Sequence, residues 1–206
     1  MKLAVFGGTG RVGSEIVRLA LGDGLEVKAL VRDEKRAMEV IPGVEFVIGD
    51  AKNEEDVKKT IATCDAVISA LNTDKTDTLS KSSLLIVKAM KEEGIKRIVT
   101  IGTAGILNSR FEKGKYRYQT NESKRKKTFA AEEHVKVYEA LQHSRLDWTI
   151  ICPTYLPDGE RHGNIRFERD LLPEDGKKIT VADTAFFAYE ELKKKEFLAH
   201  RVGICY

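Results

Sequence analysis

The stretch that most constrains this chain is Gly7-Gly8-Thr9-Gly10-Arg11-Val12-Gly13. Before it, Lys2-Leu3-Ala4-Val5-Phe6 is a short apolar run of strand type; after it, Ser14 to Leu21 carries apolar residues at helical spacing. The glycines therefore fall on a strand-to-helix turn. There they permit a tight turn without a Cβ penalty, close approach of the backbone to a pyrophosphate, and tight packing of helix on strand. The helix start adds unpaired N–H groups and the positive end of the helix dipole, which suit a phosphate. A glycine-rich turn that binds nothing is the plainer reading of such a triplet. Its place at the head of a chain that goes on alternating strand and helix favours a dinucleotide instead.

That alternation can be followed residue by residue. The first helix closes near Gly22-Asp23-Gly24, and Leu25 to Val31 is a near-continuous apolar strand of the kind covered on both faces, ending at Arg32. A short helix over Glu34–Val40 is stopped by Pro42-Gly43, and Val44 to Ile48 makes a third strand running into Gly49-Asp50. Asn53 caps a helix to about Ala62, with Glu54, Glu55 and Asp56 in its first turn. A strand over Asp65–Leu71, a helix over Thr78–Glu93 ended by Gly94, and a strand over Arg97–Ile101 stopping at Gly102-Thr103-Ala104 follow. Later come a helix over Thr128–His143, a strand over Asp147–Cys152, a less regular tail including Ile165-Arg166-Phe167 and Lys178–Val181, a helix capped by Asp183 and running to about Lys194, and a closing strand over Arg201–Cys205. The pattern predicts an α/β fold, a doubly wound parallel sheet of Rossmann type in a single domain over 1–206. Residues 1–155 form its core sheet, and 156–206 form a small C-terminal substrate lobe with the closing strand.

A fold of this kind uses most of the 206 residues, so a substrate has to be held by loops above the sheet. No apolar run approaches the ~18 residues of a membrane span, and Lys2 enters the first strand without a signal-peptide layout. Cys64, Cys152 and Cys205 are scattered, odd in number and without CxxC spacing, which suits buried bystanders in a reducing cytoplasm. The four histidines show no metal-ligand spacing, so no metal is expected. A net charge of +3 is too small to argue for nucleic acid. Between Asn108 and Lys127, however, eight Lys or Arg stand against Glu112 and Glu122. Two readings of this segment stay open: a long, mobile, solvated flap, or a lid that attracts an anionic small-molecule electron acceptor.

The residue facing the adenosine ribose should sit at the tip of the second strand, about 20 residues past the glycines. Here that tip is Arg32, followed by Lys35 and Arg36. A cation there suits a 2′-phosphate and so NADP(H) over NAD(H), whereas Asp33 would fill the acidic role if Arg32 pointed away. Ligands of open parallel sheets bind outside the carboxyl edge, so other strand ends converge on the crevice. Asp50 and Ala51 would flank the adenine. Ala70, Leu71 and Asn72 would run along the ribose and pyrophosphate, and Thr103 with Pro153, Thr154 and Tyr155 would lie nearest the nicotinamide.

The glycine turn, the Val31-Arg32-Asp33 tip, Gly49-Asp50 and Thr103-Ala104 resemble the atypical short-chain dehydrogenase/reductases that include NmrA-like proteins and the biliverdin IXβ reductase/flavin reductase family. The resemblance implies NADPH bound by Gly7, Thr9, Gly10, Val12 and Gly13 and along the track above, with Arg11 also near the phosphates. It also sets a contrast. The large short-chain family uses a Tyr-x-x-x-Lys pair on the helix after the fifth strand, and here Tyr138 is followed at that spacing by Gln142. Tyr189 and Lys193 match the spacing on a late helix outside the expected site. Flavin-reductase-like members place a Ser and a His where this chain has Thr103 and Tyr155, which become the catalytic candidates. Two functions follow as expectations: hydride transfer from NADPH to a flavin, quinone or small carbonyl acceptor, or a non-catalytic dinucleotide sensor of NmrA-like type.

Overall fold

The computed structural model describes residues 1–123 and 125–206; Lys124, one of the cations counted above, lies outside the described residues. Strands β1 (Lys2–Phe6), β2 (Glu26–Val31), β3 (Glu45–Ile48), β4 (Ala66–Ser69), β5 (Arg97–Ile101), β6 (Asp147–Pro153), β7 (Arg166–Arg169) and β8 (His200–Cys205) form one sheet. Their order is β3-β2-β1-β4-β5-β6-β8-β7. Every pairing is parallel except β7 with β8. The chain winds outward from β1 in both directions, so the order reverses between β1 and β4. A crevice opens at such a reversal, outside the carboxyl ends of the strands.

Helices α1 (Arg11–Gly22), α2 (Glu34–Val40) and α6 (Val181–Lys194) cover one face, and α3 (Glu54–Ile61), α4 (Thr78–Glu92) and α5 (Phe129–Gln142) cover the other. Strand side chains alternate between faces. On β1, Leu3 and Val5 join Ile16 and Val17 of α1 and Tyr189 of α6, while Ala4 and Phe6 join Ile61 of α3 and Met90 of α4. Burial on both faces is why these strands read as unbroken apolar runs. No helix among the described residues is long and apolar enough to cross a membrane.

Side-chain caps set the starts of α2, α3 and α6. Asn53 accepts from the Asp56 N–H, and Asp33 accepts from the Arg36 N–H. At α6 the expectation is corrected: Thr180 is the cap, its Oγ1 accepting from the Asp183 N–H at 3.2 Å, and Asp183 lies buried in the first turn. The tail also resolves into more structure than its sequence predicts. Arg166–Arg169 pairs antiparallel with β8, a strand of four residues, too short for alternation to announce it. Residues 156–206 thus divide between α6, β7 and β8, which extend the sheet and its cover, and a loop that leaves β6 at the carboxyl edge.

The basic segment is only partly the solvated flap that its composition suggests. Arg110 donates to Glu168 at 2.6 Å and to the Leu172 carbonyl at 2.8 Å, and Arg117 turns inward to Glu122 and the Ala104 carbonyl. Beneath them Arg201, buried, donates to the Ile106 carbonyl and to Asn108 Oδ1, and lies 4.3 Å from the Tyr138 ring centroid. A planar guanidinium can satisfy several carbonyls at once, which a charge count cannot reveal. Lys113, Arg125, Lys126 and Lys127 remain exposed.

His134 of α5 is buried, and loss of hydration pushes its imidazole down to about 4. In the unfolded chain it takes a proton near its ordinary value of 6.5, so the unfolded state binds more protons between those two pH values. Stability contributed by the neutral ring is complete above pH ~6.5 and declines as pH falls toward ~4. Urea unfolding across this window should show that slope in the native chain and a flatter one in His134→Leu.

Candidate functional site

The glycine turn is built as tightly as its spacing predicts. Gly7 has φ of +80°, and a Cβ on it would lie 2.6 Å from the Ala70 carbonyl oxygen. A Cβ on Gly13 would overlap the Gly7 carbonyl oxygen, which accepts the turn-closing bond from Gly10 N–H at 3.0 Å. Helix α1 therefore sits on the turn after β1, and that turn on the chain leaving β4, with no room for a side chain at either contact. Gly10 precedes α1 without a side-chain cap, so the first turn presents its N–H groups to the crevice. These features fit a pyrophosphate: a backbone cradle that side chains would fill, and a helix start left without an internal partner.

From this turn a cavity of about 610 Å³ runs across the ends of β1 to β4, a volume typical of ligand sites. Gly7, Thr9 and Gly10 form its inner end, and Ala70, Leu71 and Asn72 form one wall. Arg32, Asp33 and Arg36 meet Asp50, Ala51 and Lys52 at the far end. Most of the residues expected to hold the dinucleotide are thus brought together by four successive strand ends.

One expectation at the far end is corrected: Arg36, not Lys35, lines the cavity beside Arg32. Successive residues of a helix point about 100° apart, so the two neighbours on α2 cannot both face the crevice. Arg36 Nη2 donates to the Thr9 carbonyl at 3.3 Å, which ties the guanidinium to the glycine turn. Asp33 spends a carboxylate oxygen on capping α2. Asp74 also lines the cavity, and sequence reasoning missed it. Its carboxylate accepts from the Thr76 hydroxyl at 2.6 Å, the Thr76 N–H at 3.0 Å and the Thr78 hydroxyl at 2.8 Å; these bonds, the Thr76 hydroxyl first, hold it down to about 2. The available signal was Asp74-x-Thr76-x-Thr78, an Asx-type turn in which short polar side chains satisfy one another.

The second half of the predicted track lies beside this cavity and does not line it. Val12 and Gly13 are packed in the first turn of α1. Arg11 turns toward the loop after β6, its Nη1 donating to the Leu156 carbonyl at 3.1 Å and to Asp158 at 2.9 Å. Thr103 caps the short 3-10 turn Ala104–Ile106, accepting from Gly105 N–H at 3.4 Å. Pro153 ends β6, and Tyr155 beyond it is 64% exposed. Between them Thr154 Oγ1 is buried with no hydrogen-bond partner among the described residues. A buried hydroxyl left so is costly in an unliganded protein and suits a strand end that meets a polar ligand.

The Tyr-x-x-x-Lys spacing on α6 is structural. Tyr189 OH donates to Asp23 at 2.8 Å and Lys193 pairs with the same carboxylate at 3.1 Å, which ties α6 to the end of α1 opposite the crevice. Tyr138 lies under Arg201 and edge-on to Trp148. All three cysteines are free and buried, and burial pushes the Cys152 thiol up to about 12.

A family model described as NAD(P)H-binding matches residues 7–195. The photosystem II assembly factor Ycf39 of Guillardia theta is 32% identical over 117 residues, 53% of this chain and 37% of that protein. The NAD(P)H azoreductase of Xenophilus azovorans is 30% identical over 157 residues, 74% of this chain and 48% of that one. The chain therefore spans less than half the length of these curated relatives. Among solved structures, a candidate NADH-flavin reductase from Streptococcus pneumoniae superposes with a TM-score of 0.82 at 26% identity, covering 100% of this chain and 99% of that one.

Proposed function

Since the chain belongs to the NAD(P)H-binding family, we propose that it works as an NADPH-dependent reductase whose acceptor is a flavin, a quinone or a small carbonyl compound. The observation that carries this reading is the cavity that begins at the uncapped start of α1 and ends between Arg32 and Arg36. A reduced nicotinamide nucleotide supplies the hydride, and the protein supplies position and exclusion of water. At the inner end the N–H groups of the first turn of α1 hold the pyrophosphate. At the far end the two guanidiniums pair with a 2′-phosphate, an assignment supported by Asp33 being occupied at the α2 cap. Thr103 and Tyr155 flank the acceptor. The reductase names of the Xenophilus and Streptococcus relatives support the reaction class.

The choice of acceptor follows from what the site lacks. Among the described residues Tyr155 is largely exposed, and the Tyr189–Lys193 pair is spent on Asp23 away from the crevice, so neither supplies a tyrosine held as a proton donor there. Flavins and quinones ask least of such a donor. Replacing Tyr155 with Phe is therefore expected to lower kcat with a flavin or quinone by less than about tenfold, well below the 10²–10⁴ that a positioned general acid contributes. An anionic acceptor would be drawn by the exposed Arg125, Lys126 and Lys127. Reversing these three charges should raise its KM in low salt and matter little once the Debye length has fallen below about 10 Å. Three buried, free cysteines suit a cytoplasmic setting.

The occupation of Thr103 in a cap favours a second reading, a dinucleotide sensor without turnover. Steady-state NADPH oxidation with FMN, quinones and aldehydes separates the two. Turnover with any of them supports the reductase; tight binding without turnover supports the sensor. If neither NADPH nor NADH binds, both readings fail.

A further inference from the structure

The loop that leaves β6 is fastened to the start of α6 along its length. Tyr155 and Pro157 carbonyls accept from Ile179 and Val181 N–H groups, each at 3.0 Å. Farther on, Asp183 Oδ2 accepts from His162 N–H at 2.7 Å, and Gly163 N–H reaches the same carboxylate at 3.3 Å. The C-terminal Tyr206 completes the anchor, donating its hydroxyl to Asp183 at 2.6 Å while accepting from Thr180 N–H at 3.1 Å. Asp183 is 0% exposed. Burying a carboxylate is expensive unless hydrogen bonds and a charge partner offset the lost hydration, as His162, Gly163, Tyr206 and Arg161 do here. Helix α6 does not need these bonds, because Thr180 already caps it. The bonds are instead given to a loop whose other end carries Leu156 and Asp158, the two groups that hold Arg11 at the first position of α1.

We infer that Asp183, with Tyr206, is a positioning residue for the nucleotide site: Asp183 fixes the loop at His162 and Gly163, Tyr206 holds Thr180 between the two N–H groups that fasten Tyr155 and Pro157, and the loop so held keeps Leu156 and Asp158 on the Arg11 guanidinium beside the start of α1. This rests on the proposed binding of a pyrophosphate there. Arg11 is more than half exposed, and a free arginine side chain carries rotamer entropy that would have to be lost on binding. Held in advance by a carbonyl and a carboxylate, it loses less, and affinity rises without any new contact. Asp183 touches neither nucleotide nor acceptor. Its influence passes entirely through the loop.

The test is a double-mutant cycle between Arg11 and Tyr206, which do not touch, read by NADPH titration of the full chain. Tyr206→Phe removes one hydroxyl from the last residue and leaves the buried carboxylate in place. It removes the bonds to Asp183 and Thr180 together, and is expected to raise the NADPH Kd by about threefold to tenfold and to speed amide exchange over residues 157–163. In an Arg11→Ala background the same change should have no further effect on Kd. The ratio of NADPH to NADH affinity should stay constant, because Arg32 and Arg36 are untouched. Asp183→Asn should act in the same direction and more strongly. Equal penalties in both backgrounds, or unchanged exchange over the loop, would overturn the inference while leaving the proposed function standing. A native chain that binds neither nucleotide would overturn both.

Discussion

Gly13→Ala is expected to raise the NADPH Kd by at least about a hundredfold while leaving most of the sheet intact. The added methyl would overlap the Gly7 carbonyl oxygen, a backbone atom that cannot rotate away and already closes the turn with Gly10 N–H. Either α1 moves off β1 or the turn opens. Overpacking of this kind costs about 1–3 kcal/mol of stability. The effect on binding is larger because the N–H groups at the helix start move with the helix, and a displacement near 1 Å can cost about 10² in a positioned site. Gly22→Ala is the control. A Cβ there meets nothing within 4 Å, and in the last position of α1 it should be neutral or gain up to about 1 kcal/mol. Chemical unfolding together with nucleotide titration of both variants separates damage to the cradle from damage to the fold. Undiminished affinity in Gly13→Ala would refute the assignment of this turn as the phosphate cradle.

The second large effect is expected at the other end of the cavity. Arg32→Ala combined with Arg36→Ala should weaken NADPH by about two orders of magnitude or more and NADH by no more than the loss of the Arg36–Thr9 bond, within about tenfold. A hydrogen bond to a charged group contributes about 1.5–3 kcal/mol, and the double variant removes two guanidiniums that can each make one to the 2′-phosphate. NADH lacks that phosphate and should not register the loss of those contacts. Lys35→Ala, one residue from Arg36 but outside the cavity, should leave both affinities close to native. Equal weakening of NADH and NADPH by the double variant would mean that the arginines serve the fold or the adenine rather than the phosphate.

Much of the architecture was legible before any coordinates. Asn53 followed by three acids announced a capped helix, which Asn53 and the Asp56 N–H form. The near-continuous apolar run of β2 announced a sheet covered on both faces, and both apolar clusters are there. The cavity lining is legible in the same way: Arg32, Asp50, Ala51 and Asn72 follow strand ends, and the parallel sheet gathers strand ends. Asp183 reads as a cap from its neighbours along the chain, and the tertiary structure instead turns its carboxylate to His162, Gly163 and Tyr206. The basic segment misled by composition, since Arg110 and Arg117 look like any other exposed cations until Glu168, Leu172 and Ala104 are placed beside them.

Sequence alone therefore determined what depends on neighbours along the chain: the tight glycine turn, the helix starts, the alternation of strand and helix, and with them the sheet and the position of its crevice. Tertiary structure decided what depends on partners far apart in number: that Arg36 rather than Lys35 faces the cavity, that Arg11 meets a loop 145 residues away, and that Tyr206 meets Asp183 and Thr180. The reason is physical. Backbone preferences and periodicity are fixed within a few residues, whereas the direction and pairing of a charged side chain are settled only when distant segments supply, or fail to supply, its hydrogen-bond partners.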